Sequence, residues 1–388
     1  MIGAGVFAAF APAAAAAGSL LLVGLALAAV VAYCNASSSA RLAALYPQSG
    51  GTYVYGRERL GPFWGYLAGW AFVIGKIASC AAMALTVGAY VWPSQAHLVA
   101  VAAVVALTIL SCFGVQRSTQ LTRIIVVVVL AALACAVIGI FSAGPSLDFE
   151  SRIDTTAFGV LQSAGLLFFA FAGYARIATL GEEVRDPAHT IPRAISLALG
   201  ITLVVYVAVA VALLIALGSD GLATATAPLA DAVTAVGLSW LAPVMQVGAA
   251  LAALGALLAL ILGVSRTTLA MARDRHLPAP LATVHQPSGV PRHAEIGVGV
   301  VVAVLAATLD LRGAIGFSSF GVLVYYAIAN CAALTLGRRL IPSLIPTVGL
   351  MGCLVLAFAL PWTSVVTGAG VLAIGALVYF ARLRLRRN

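Results

Sequence analysis

Apolar residues run through this chain in long blocks, each near the length of a membrane-crossing helix, parted by short polar or turn-forming segments. The pattern predicts spans over residues 1–16, 19–43, 62–92, 97–113, 121–143 and 157–180. It predicts six more over 193–217, 238–268, 294–309, 313–336, 344–360 and 363–381. Between them, SGG at 49–51 and PAPLATVHQPSGVP at 278–291 are loop signals. The stretch LATATAPLADAVTAVG at 222–237 reads as a short helix outside the membrane. The fold class expected is all-α: a polytopic membrane protein of about twelve transmembrane helices.

Two of these spans are built to break. The first opens MIGAGVFAAFAP, with Gly3 and Gly5 inside it and Pro12 close behind. Glycine weakens a helix by about 1 kcal/mol, and an unsatisfied backbone group in hydrocarbon costs several more. One reading of such glycines is close helix packing. The other is a functional break. The sixth span carries a second interruption, FFAFAGY, between helical stretches. Paired interruptions at matching places in two halves point to an inverted-repeat transporter with a site near the bilayer midplane. Freed amides at one break suit an anion and freed carbonyls at the other a cation, so a zwitterion fits between them.

Composition narrows the class. Hydrophobic residues make up 63% of the 388 and charged residues 9%, too few charges to cover a water-exposed surface. The net charge of +9 is therefore a matter of topology and does not point to nucleic acid. One set of loops holds Arg41, Arg57, Arg59, Arg117, Arg123, Arg273 and Arg292, among others, and the tail adds Arg382, Arg384, Arg386 and Arg387. The opposite set holds Arg152 and Arg312 with Asp148, Glu150, Asp154, Asp220 and Asp310. This asymmetry predicts a cell-membrane protein with the arginine-rich loops and the C-terminus in the cytoplasm. Six cysteines without a C-x-x-C pair and five unclustered histidines predict neither a disulfide frame nor a metal site, and no cofactor is expected.

Four stretches carry a family resemblance. GAGVF in span 1, YPQSGGTYVYGRERLGPFWGYLAGW at 46–70, FFAFAGYARIATLGEEVRDPAHTIPRAI at 168–195 and SRTTLAMARDRHLP at 265–278 resemble the amino acid–polyamine–organocation (APC) permeases. The resemblance runs through the first ten spans. It implies a leucine-transporter-like fold in one transporter domain: a first repeat over 1–143, an inverted repeat over 157–336, and two extra helices over 344–381. It implies that amides around Gly3, Ala4 and Gly5 hold a substrate α-carboxylate. Carbonyls around Phe169, Ala170 and Ala172 would hold the α-amino group. Relatives carry a half-helix before the GAG break, whereas here only Met1 and Ile2 precede it. Further apolar residues upstream in the natural gene are thus expected.

Four charged residues are candidates for gating or coupling. Lys76, the only lysine, lies in the middle of span 3, where a charge costs roughly 2.5–3.5 kcal/mol. It reads either as a snorkelling structural residue or as a fixed cation. Arg176 follows the second break, and Glu182 and Glu183 stand where span 6 leaves the membrane. Arg176 reads as part of an inner gate or as a structural partner of Glu182 or Glu183, and Glu182 and Glu183 read as a solvated helix end or as a latch at an inner gate, as do Arg273 and Asp274. Among the aromatics at the second break, Phe169 is the expected cover over a substrate.

The expected function is secondary active transport of amino acids by alternating access, coupled to protons or to exchange. Its partners are a small amino acid substrate and the lipid bilayer. A polyamine or organic-amine permease of the same fold is the alternative within the class, weakened because no carboxylate lies firmly inside a span. A passive channel would show charged rings or filter repeats, and an enzyme a nucleophile–base or metal constellation within the spans. Neither pattern occurs in the sequence.

Overall fold

A computed structural model describes residues 2–46, 50–114, 119–144, 155–174, 187–285, 289–337 and 340–385. The described chain is helical. It runs α1 (Gly5–Ala8), α2 (Phe10–Ala17), α3 (Leu21–Leu45), α4 (Thr52–Leu60), α5 (Pro62–Val91), α6 (Ala96–Cys112) and α7 (Thr119–Ala143). It continues with α8 (Ala157–Phe171), α9 (Pro187–Thr224), α10 (Pro228–Ala235), α11 (Ala242–Arg273) and α12 (Arg292–Thr308). The last three are α13 (Leu311–Leu334), α14 (Leu340–Ala359) and α15 (Trp362–Leu385). Eight helices among the described residues are long and apolar enough to cross a bilayer, with α2 and α3 counted together as Phe10–Leu45. Two shorter apolar helices, Ala157–Phe171 and Ser343–Ala359, join them. The molecule is a polytopic, all-α membrane protein.

The opening segment is helical from Gly5, with a bend at Ala9. Pro12 cannot donate to the Ala8 carbonyl, and a missing i→i−4 bond is a usual cause of such a bend. At the other end Gly18 takes φ 52°, a conformation open to glycine at little cost, and turns the chain into α3. From Gly5 to Ala17 is about 20 Å of helix at 1.5 Å per residue, short of the ~30 Å hydrocarbon core. Helix α8 is also short, and it lies antiparallel to this segment. A Cβ on Gly5 would meet the Ala170 backbone, and one on Gly159 would meet the Ala16 carbonyl. Two short helices thus run side by side in opposite directions, each shorter than the hydrocarbon core is thick.

Helix α5 is the central post. It is mostly buried and packs on α4, α6, α11 and α13. Lipid tails are as apolar as leucine, so these helices associate by close packing and polar contacts. The α5–α13 contact shows both. A Cβ on Gly321 would lie 2.9 Å from the Gly75 Cα and 3.0 Å from the Ala71 carbonyl oxygen. Beside it the Ser79 and Ser318 hydroxyls share a hydrogen bond at 2.6 Å. Asn330 of α13 donates to Asn35 of α3 at 2.6 Å, and the Cys353 thiol of α14 also meets that Asn35 oxygen.

Two elements depart from the sequence expectation. Helix α4 occupies residues for which only a preceding loop was read. The short outer helix falls on Pro228–Ala235, while α9 continues to Thr224 with a break at Gly218 (φ 66°). The second half of span 6, beyond residue 174, lies outside the described residues.

Gly321→Leu is expected to destabilise the protein by about 1–3 kcal/mol through overpacking against the α5 backbone. Gly370→Ala, where a Cβ meets open space, should leave it unchanged or slightly more stable. Thermal unfolding in detergent separates the two.

Candidate functional site

The site is where the two short helices end against each other. At the start of α1 the first helical bonds come from the Phe7 and Ala8 amides, both to the Ala4 carbonyl. The amides of Gly3, Ala4, Gly5 and Val6 donate to no other described residue, as the first amides of any helix must. Such an end carries partial positive charge. Across from it α8 stops at Phe171 and tightens into a 3₁₀ turn over Ala172–Tyr174. Its last carbonyls carry partial negative charge.

Those carbonyls are engaged. The Phe169 carbonyl accepts from the Ala172 amide. The Ala170 carbonyl accepts from the Tyr206 hydroxyl of α9 at 2.9 Å. The Ala172 carbonyl accepts from Lys76 Nζ of α5 at 3.2 Å. Lys76 is 4% exposed, so its ammonium lies inside the bundle against the end of α8. A carbonyl oxygen has two lone pairs and can accept from a second donor.

Glycine at position 5 follows from contact. A Cβ there would come within 2.6 Å of the Ala170 Cα, which is backbone and cannot swing aside. At Gly3 it would stand 3.2 Å from the Ala256 Cβ. Ala4 is fully buried beside Val87 of α5 and Ala253 of α11. Close packing thus accounts for Gly5, and the same contact brings the first amides of one helix to the last carbonyls of the other.

One rim of the site is tied by Tyr90 of α5. Its hydroxyl donates to the Phe7 carbonyl at 3.1 Å and accepts the Leu229 amide of α10 at 3.3 Å. The ring packs edge-on against Phe7. Beside it is a cavity of about 300 Å³ lined by Phe7, Tyr90, His97, Thr226, Asp310 and Arg312.

The opposite face carries a polar latch. The Tyr53 hydroxyl of α4 donates to Asp274 at the end of α11 and lies 3.0 Å from His276 Nδ1. Arg57 pairs with Asp274 at 3.4 Å, and Arg59 bonds Thr335 beyond α13. Burial first, and then the bond to the Asp274 carboxylate, pushes the Tyr53 hydroxyl well above its ordinary range, which keeps it a donor. Arg382 of α15 closes on the Arg275 carbonyl at this same face.

A family model described as amino acid permease matches residues 1–381. The chain belongs to the amino acid permease family. An uncharacterised transporter of Mycobacterium tuberculosis (strain ATCC 25618 / H37Rv) is 67% identical over 396 positions, covering 100% of this permease and 89% of that protein. The cationic amino acid transporter 7, chloroplastic, of Arabidopsis thaliana is 27% identical over 366 positions, 85% of this chain and 62% of its own. The branched-chain amino acid permease BcaP of Bacillus subtilis (strain 168) is 25% identical over 416 positions, 98% and 89% of the two chains.

Of the residues singled out in the permease sequence, Gly3, Ala4, Gly5, Phe169, Ala170, Ala172 and Lys76 meet at this one place. Arg176, Glu182 and Glu183 lie outside the described residues. Phe169 is 7% exposed, and among the described residues its ring has no aromatic partner, whereas Phe168 and Phe171 are set edge-on against Tyr326 and Tyr206. Asp274 pairs with Tyr53 and Arg57 of α4, partners that sequence reading did not name. Tyr206 and Tyr90 were missed. Their signal was a lone hydroxyl within an apolar run, a group that must find a partner when buried. Glu295 is 1% exposed in the first turn of α12, so a carboxylate is buried where none was read firmly inside a span.

Tyr206→Phe keeps the ring against Phe10 and Phe171 and removes only the bond to Ala170. It should cost about 1–3 kcal/mol, the penalty for a buried acceptor that loses its partner. A melting curve of the purified variant beside the parent protein tests this.

Proposed function

We propose that this permease is a secondary active transporter of amino acids, working by alternating access, with the substrate held between the two helix ends. The carboxylate lies on the amides of Gly3, Ala4 and Gly5. The ammonium lies on the second lone pairs of the Phe169, Ala170 and Ala172 carbonyls. The observation that carries this reading is the meeting of four amides that donate to no other described residue with the carbonyl end of an antiparallel helix inside the bundle. In this reading the chain is two inverted five-span repeats with two added helices, and their broken helices face each other. In this reading the arginine-rich latch face and the C-terminus are cytoplasmic, and the charges of Arg176, Glu182 and Glu183 belong to the inner gate.

Lys76 gives the coupling. Two unit positive charges about 4 Å apart repel by roughly 4 kcal/mol at an effective dielectric near 20, worth on the order of a thousandfold in affinity. A substrate ammonium and a charged Lys76 therefore exclude one another at the Ala172 carbonyl. Substrate enters as Lys76 gives up its proton or withdraws, which links occupancy to proton movement or to exchange. A polyamine would bring two or more cations to the same lysine, so the single-ammonium amino acid is favoured over the polyamine alternative.

Uptake of labelled amino acids into proteoliposomes, with and without a pH gradient, tests the transport reading. Absence of uptake for every amino acid tried would remove it. In the parent protein, substrate binding should weaken as pH falls from 8 to 5. In Lys76→Met that dependence should flatten while the bulk is kept. A variant whose binding follows pH as the parent does leaves Lys76 a structural role only.

A further inference from the structure

A groove on the outside of the bundle is built differently from the substrate site. It lies between α6 and α12 and has a volume of about 590 Å³. Val105 and Ile109 form one wall, and Ile296, Val300 and Val304 the other. These side chains are about half exposed. The floor is a helix contact: a Cβ on Gly299 would come 2.5 Å from Thr108 Oγ1. That hydroxyl is spent on the Val104 carbonyl at 2.7 Å, so the floor offers no free donor.

One end of the groove is charged. Arg292, the first residue of α12, donates from Nε to the Cys112 carbonyl at 3.1 Å, which fixes its guanidinium beside the end of α6. Among the described residues Arg292 forms no ion pair, with Glu295 or any other acid. No acidic residue lines the groove. Among the described residues the positive charge is thus held in place without an ion-pair partner.

Dimensions identify the occupant. From Arg292 to Val304 the helix rises about 18 Å at 1.5 Å per residue. That is close to half of the ~30 Å hydrocarbon core, the depth of one leaflet. The groove is therefore an apolar furrow one leaflet long with a fixed guanidinium at its mouth. A twofold-related second copy seated here would bring another Arg292 to the same interface with no acid to meet it. A soluble anion would use the mouth and leave the furrow empty. We propose that the α6–α12 groove binds an anionic phospholipid of the leaflet on the arginine-rich side, with its phosphate on Arg292 and one acyl chain along the furrow. A guanidinium suits a phosphate through paired N–H donors, and basic pockets between transmembrane helices suit anionic headgroups.

This site stands apart from the substrate reading and is tested without transport. The full chain is purified in mild detergent and mixed with phosphatidylglycerol or phosphatidylcholine, and oligomeric state and bound lipid are both read by native mass spectrometry. The parent protein should retain one phosphatidylglycerol in preference to phosphatidylcholine. Arg292→Gln should reduce that preference roughly fivefold, the worth of one basic residue near a headgroup. Arg292→Lys should keep much of it. Val300→Trp, which fills the furrow, should lower retention of both lipids. Arg123→Gln, an exposed arginine of α7 outside the groove, serves as the control and should change nothing. Equal retention of the two lipids by the parent, or an Arg292→Gln variant that discriminates as the parent does, overturns the proposal. So does a parent protein whose dimer is lost in Val300→Trp with lipid retention unchanged, since the groove then belongs to a second copy.

Discussion

Hydrocarbon offers a backbone carbonyl nothing to bind, and that constraint decides what surrounds the end of α8. A helix that stops inside a membrane protein leaves its last carbonyls without amides. Here the debt is met from three directions: the Ala172 amide of the chain's own 3₁₀ turn, the Tyr206 hydroxyl from α9, and the Lys76 ammonium from α5. The same interaction explains why a charge is tolerated in the middle of an apolar span. An ammonium on a carbonyl at a helix C-terminus regains part of what water would have given it. The break and the lysine stabilise each other.

Such a contact must be held in register, and the packing around it does so with small residues. Gly75 and Gly321 let α5 and α13 touch at backbone distance one residue from Lys76. Gly5 does the same for α1 and α8. Where the hydrophobic effect does not favour one apolar neighbour over another, close approach and a few buried hydrogen bonds select the arrangement. The Asn35–Asn330 bond and the Ser79–Ser318 bond are of that kind, each tying helices distant in sequence.

The spans were legible because bilayer thickness writes itself into hydropathy, and the second break because FFAFAGY holds the point where α8 ends at Phe171. Lys76 stood out by its cost, but hydropathy has no term that names its partner ninety-six residues away. Helix α4 was missed for a related reason: nine residues, TYVYGRERL, are too short and too polar to show an apolar face. Its role depends on Asp274 and Thr335, more than two hundred residues distant. The burial of Glu295 was not legible because a residue near the margin of a span can face water or protein, and only the neighbouring helix decides which.

Lys76 is also the only lysine in the sequence, so the protein has a single side-chain amine. Reagents that acylate amines ordinarily report on a surface, yet here the one lysine lies in the interior. Its rate of modification is therefore a clock for how often water and reagent reach the meeting point of the two helices. Excess substrate or a change of membrane composition would register as a change in the speed of that clock, with no label engineered into the chain.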